Sequence, residues 1–222
     1  MGKFVQLKAS DGHQFDAYVA EPSGKPRGLV VIAPEIFGVN SHIQSVTDGY
    51  AQDGYLAIAP AFFDRAQRKY DAGYTQPDIA AGVEIMKKVS FDHVMLDVAA
   101  ALEYGKSAGK AGIVGYCWGG VIAWLAAGRV AGLSCSAPYY GGAIPSFLKE
   151  TPKCPVMFHF GEKDMSIPMD KVEIVKAKLP EHPLYVYAAG HGFSCDARGS
   201  FDAAAHALAL ERTQAYVAKH MS

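Results

Sequence analysis

Hydrophobic and polar residues alternate weakly over residues 3–9 and 13–20, and Asp11-Gly12 between them has the form of a tight hairpin turn. An antiparallel ribbon is therefore expected to open the chain. After a Pro/Gly-rich link at 22–28, Leu29–Ala33 is an unbroken aliphatic run of the kind buried on both faces of a parallel sheet. A helical period follows over Ser41–Gln52, with Ser41 as the expected N-cap and Gly54 as the residue that ends it. Residues 56–59 read as a short buried strand closed by Pro60. Residues 61–76, rich in aromatic and basic side chains, fit neither period and read as a functional or mobile loop.

From 77 to 106 the pattern is helical, in two segments broken near Ser90. Strands are then expected at 112–115, 133–137, 155–160 and Leu184–Tyr187, with helices at 121–128 and 168–179. A final helix over 201–219 places Ala203, Ala207, Leu210 and Val217 on one side. Strand and helix alternate from Leu29 onward, and no linker or repeat interrupts them. The expectation is one α/β domain over residues 1–222, a mostly parallel sheet of about eight strands with helices on both faces.

Composition narrows the function. Of 222 residues, 50% are hydrophobic and 19% charged, so a core forms without disulfide or metal staples. The balance of 21 basic and 22 acidic residues lacks the basic excess that phosphate backbones demand, so neither nucleic acid nor an anionic membrane is an expected partner. The longest apolar run is seven residues, too short to span a bilayer, and residues 1–6 have no signal-peptide pattern. Cys117, Cys135, Cys154 and Cys195 are widely spaced with no CxxC, which suits reduced thiols in a cytoplasmic protein. The histidines show no paired ligand spacing, with His13, His93, His182 and His220 read as surface residues. No glycine-rich phosphate or dinucleotide loop follows a strand either. Neither a metal nor a cofactor is expected.

Chemistry in such a sheet gathers at the carboxyl ends of the strands. Gly115-Tyr-Cys117-Trp-Gly119-Gly120 follows a strand and precedes a helix, the form G-x-C-x-G with cysteine where hydrolases carry a serine nucleophile. The helix dipole there favours a thiolate. Asp164, in Gly-Glu-Lys-Asp, and His191, between two glycines, follow later strands in the order nucleophile, acid, histidine. Each alone has an ordinary reading, a buried cysteine, a turn carboxylate or a surface histidine. Their joint order is hard to obtain by accident. Glu35, at the end of the first buried strand, is a carboxylate that a mostly apolar cleft would have to pair.

The elbow G-Y-C-W-G-G, P-E-I-F-G at 34–38, G-E-K-D at 161–164 and A-G-H-G-F at 189–193 together resemble the dienelactone hydrolase (carboxymethylenebutenolidase) family, over about residues 5 to 218. The resemblance implies an α/β-hydrolase fold without a large cap. It implies a Cys117, Asp164, His191 triad, with Glu35 contacting the resting thiol and helping to deprotonate it when substrate arrives. The oxyanion hole would be formed by the amides of Trp118 and Ile36. Arg65 matches a family arginine for a substrate carboxylate. The second such arginine is replaced by Cys195, a role Arg198 is expected to fill, and Tyr70, Tyr74 and Tyr139 are expected to shape the substrate pocket. The implied activity is hydrolysis of a lactone or ester, first of all dienelactone to maleylacetate, by a monomer or small homo-oligomer. A general carboxylesterase and a non-catalytic binder with a redox-sensitive thiol are the rival readings.

Overall fold

The computed structural model describes residues 2–222, which form one eight-stranded sheet with helices. The strands are β1 (Lys3–Lys8), β2 (Gln14–Ala20), β3 (Leu29–Ala33), β4 (Leu56–Pro60), β5 (Ala111–Tyr116), β6 (Leu133–Tyr139), β7 (Phe158–Gly161) and β8 (Leu184–Tyr187), in the order β1-β2-β4-β3-β5-β6-β7-β8. The β1–β2 hairpin and the β2–β4 pair are antiparallel, and every later pair is parallel. All five residues of β3 are buried, and side chains along a strand alternate between faces, so both faces of the sheet are covered. The exposed area of 9657 Å² is close to the ~9,800 Å² expected for a compact chain of this mass.

The helices are α1 (Ser41–Gln52), α2 (Gln76–Met86), α3 (Phe91–Tyr104), α4 (Trp118–Arg129), α5 (Met169–Lys178) and α6 (Ala203–Met221). Their starts obey capping chemistry. Asn40 rather than Ser41 caps α1, its Oδ1 accepting from the Ile43 amide. Thr75 and Asp78 form a capping box on α2, and Ser90 caps α3 where the sequence pattern breaks. Helix α4 begins at Trp118, three residues before the apolar pattern suggests, because the preceding turn feeds directly into it.

The 61–76 segment and α6 also differ from expectation. The 61–76 segment holds a 3₁₀ turn, Phe62–Arg65, whose Phe62 and Phe63 are buried, Phe63 lying 4.9 Å ring to ring from Trp118. Aromatic packing anchors it. On α6, Ala203 and Ala207 are exposed, while Ala205, Ala209, Thr213, Tyr216 and Val217 form the buried face. Polar Thr213 sits inside that face because its hydroxyl meets Tyr139 Oη at 2.6 Å and His159 Nε2 at 3.0 Å. An apolar-only helical count therefore rotates the helix wrongly. No helix among the described residues is long and apolar enough to cross a membrane.

Candidate active site

The turn between β5 and α4 is sterically forced. A Cβ on Gly115 would lie 1.9 Å from the Gly119 carbonyl oxygen, and one on Gly119 would lie 2.0 Å from that of Ala33. Only glycine lets strand and helix close this tightly. Cys117 between them takes φ +56°, ψ −114°, a conformation that side-chain-bearing residues rarely adopt. Its amide donates to the Tyr139 carbonyl at 3.0 Å and its carbonyl accepts from Gly120, so the strain is held by β6 on one side and α4 on the other. Of the four cysteines, Cys117 alone is not fully buried. Burial pushes the thiols of Cys135 and Cys154 up to about 12 and about 11.

His191 and Asp164 converge on this sulfur from the loops after β8 and β7. His191 Nε2 lies 3.2 Å from Cys117 Sγ, and its Nδ1 lies 2.7 Å from Asp164 Oδ2. The other oxygen of buried Asp164 accepts from the amides of Ser166 at 2.8 Å and Ile167 at 3.1 Å, which fixes the carboxylate beneath the ring. Burial works to lower the His191 pKa, but the charge on the Cys117 sulfur and the Asp164 carboxylate outweigh it and raise it to about 10. The ring's Nε2 is aimed at Sγ, where it can exchange a proton with the thiol.

Glu35 is almost completely buried, with Oε1 accepting from Arg198 Nη1 at 2.9 Å and Oε2 enclosed without a partner. The Arg198 guanidinium lies over the Phe37 and Tyr74 rings and against the backbone of Gly192, where a Cβ would come within 2.6 Å of it. Thiol and carboxylate thus sit in separate pairs, Cys117 with His191 and Glu35 with Arg198. Trp118 supplies the first amide of α4, which has no partner within the helix, and Ile36 follows β3; both line the cleft beside Cys117.

That cleft, about 410 Å³, has walls of Ile36, Phe37, Ile79, Val83, Met86 and Ile167, with His191 and Arg198 as its charged groups. Ile79, Val83 and Met86 repeat at helical spacing on α2. The stripe is visible in the sequence, but nothing local says it faces the thiol rather than the core.

Four expected substrate or pocket residues do not line the cleft. Tyr70 lines a separate hollow beside Asp64 and Asp71, and Tyr74 lies behind the Arg198 guanidinium with its hydroxyl accepting from Asn40 Nδ2 at 3.0 Å. Arg65 is held elsewhere: its Nε and Nη2 donate to Asp97 at 2.7 Å each and its Nη1 donates to Asp11 at 2.8 Å. It is the counter-ion of a fully buried aspartate on α3, which such a site requires. Tyr139 is buried, with its hydroxyl against Thr213 and the Ala209 carbonyl of α6, so it braces that helix instead of touching substrate. His182, read as a surface residue, is half-buried and accepts from the Val156 amide at 3.3 Å.

A strained strand–turn–helix of the G-x-C-x-G form at the head of a mostly parallel sheet, with an aspartate and a histidine following in chain order, matches the α/β-hydrolase fold. A profile of the dienelactone hydrolase family matches residues 15–221. A carboxymethylenebutenolidase of Pseudomonas putida is 31% identical over 96% of this chain and 95% of its own length. Carboxymethylenebutenolidase 1 of Cupriavidus pinatubonensis is 28% identical over 94% and 93%. A solved structure from Klebsiella pneumoniae, named a Putative Dienelactone Hydrolase, superposes with a TM-score of 0.83 at 28% identity, covering 98% of this chain and 99% of that one. The chain belongs to the dienelactone hydrolase family and is a hydrolase acting on ester or lactone bonds.

Proposed function

We propose that the chain hydrolyses small lactones and esters of largely apolar acids through a Cys117 thioester. The observation that carries this is the unbroken series Cys117 Sγ, His191, Asp164, at 3.2 and 2.7 Å, at the mouth of an apolar cleft. The thiolate attacks the carbonyl carbon, and the displaced electron pair settles on an oxygen held by the Trp118 and Ile36 amides. Collapse breaks the ester C–O bond, and the leaving oxygen takes the proton from His191. Acylation removes the sulfur charge that does most to raise the His191 pKa, so the ring becomes an effective base. Neutral His191, oriented by Asp164, then deprotonates the water that releases the acid and regenerates the thiolate.

A dienelactone, hydrolysed to maleylacetate, is the second reading, favoured by Arg198 in the cleft wall and by the relatives' names. A substrate carboxylate at Arg198 would compete with Glu35 for the guanidinium and release Glu35 toward the thiol. Against it stands Arg65, whose engagement by Asp97 leaves no two-arginine clamp. The test is a rate comparison between a carboxylated lactone and a neutral aryl ester, with mass spectrometry after sub-stoichiometric iodoacetamide. Modification confined to Cys117, with proportional loss of both activities, is expected. Full activity with Cys117 quantitatively alkylated would remove the mechanism, and a strong preference for the acidic lactone would replace the first substrate reading by the second.

A further inference from the structure

Behind the Arg198 loop lies a second cysteine–histidine–aspartate group that the hydrolysis does not use. His42, in the first turn of α1, sits against Cys195 and Asp196 of the loop after His191, with one ligand atom from each within 4.8 Å of the others. His42 Nδ1 is 2.8 Å from Asp196 Oδ1, while its Nε2 is buried without a partner on a side chain only 6% exposed. Cys195 is completely buried, and Asp196 is 73% exposed. Asp196 opens onto a hollow of about 360 Å³ that His42, Ser194 and His206 also line. The group therefore has a closed end with a thiol and an open end with a carboxylate.

We propose that His42, Cys195 and Asp196 form a binding site for a thiophilic divalent cation of the zinc type. One thiolate, one imidazole and one carboxylate are a donor set that suits such an ion and disfavours magnesium or calcium, which take oxygen ligands. Bonds of about 2.0–2.3 Å in tetrahedral geometry need ligand atoms roughly 3.4–3.7 Å apart, so side-chain shifts of about 1 Å among groups whose ligand atoms lie within 4.8 Å complete the site. Binding forms the sulfur–metal bond and releases the Cys195 proton to solvent, with solvent as the fourth ligand on the open side. The ion would tie α1 to the loop that carries Arg198, and through Arg198 to Glu35.

Cobalt(II) and zinc titrations of the full chain test this, in a Cys117→Ser background so that the catalytic thiol contributes nothing. One equivalent of cobalt is expected to give a near-ultraviolet thiolate charge-transfer band, displaced by zinc. Cys195→Ser should abolish the band. Asp196→Asn keeps the hydrogen bond to His42 on an exposed side chain, so it leaves the fold intact and should weaken binding about tenfold or more. Absence of the band at millimolar cobalt, or equal binding by the parent and the Asp196→Asn and Cys195→Ser variants, overturns the proposal and leaves His42–Asp196 as a hydrogen-bonded latch.

Discussion

Arg198→Ala separates a substrate residue from a counter-ion. In the folded chain Arg198 Nη1 is 2.9 Å from Glu35 Oε1, and the Glu35 side chain is 1% exposed with its second oxygen unpartnered. Removing the guanidinium leaves a buried carboxylate without its counter-charge, which costs about 3–5 kcal/mol. For a chain of this length each kcal/mol moves Tm by about 2–4 °C, so a fall of roughly 6–20 °C is expected at neutral pH. One feature identifies the cause. Adding Glu35→Gln should restore most of the loss, because a neutral amide needs no counter-ion. Thermal unfolding of wild type, Arg198→Ala and the double variant measures this, with kcat/KM on a carboxylated lactone and a neutral ester alongside. A change in Tm under about 2 °C, or a double variant no more stable than the single one, refutes the counter-ion reasoning. A drop of about 10- to 150-fold in kcat/KM confined to the acidic lactone would then give Arg198 to the substrate instead.

Asp164→Asn can keep its two backbone hydrogen bonds through Oδ1, but it presents an amide N–H₂ to His191 Nδ1 and selects the wrong tautomer. A kcat/KM loss of about 10²- to 10⁴-fold with little change in Tm is expected, and activity within threefold of wild type would exclude Asp164 as the orienting acid. Arg65→Ala should leave kcat/KM on both substrates nearly unchanged while lowering Tm, since it strands the fully buried Asp97; a selective loss on the acidic lactone would return Arg65 to the cleft. His159 is fully buried, and desolvation, with a smaller contribution from the Arg212 charge, holds its pKa down to about 3. The unfolded chain therefore binds a proton that the folded one refuses between pH 6.5 and about 3. Unfolding free energy should fall as pH drops through that window, and His159→Gln should flatten this acid limb in denaturant titrations.

What could be read from the chain alone is what local stereochemistry encodes. The glycines around Cys117 announce a strand–turn–helix closure because no side chain fits there, and the aliphatic runs announce strands covered on both faces. The order of Cys117, Asp164 and His191 along the sequence follows from which strand ends share one edge of a parallel sheet. The fates of the long polar side chains were not legible in this way. Arg65 carries no local mark that sends it to Asp97, 32 residues away, rather than into the cleft. Tyr139 and Thr213 meet across 74 residues, and that meeting rotates α6 away from its simple apolar count. His42 and Asp196 meet across 154. Periodicity specifies which face of an element is apolar, since burial depends on each residue's own hydrophobicity. Which buried charge meets which donor depends on the relative placement of whole elements, and only the packed sheet and its helices decide it.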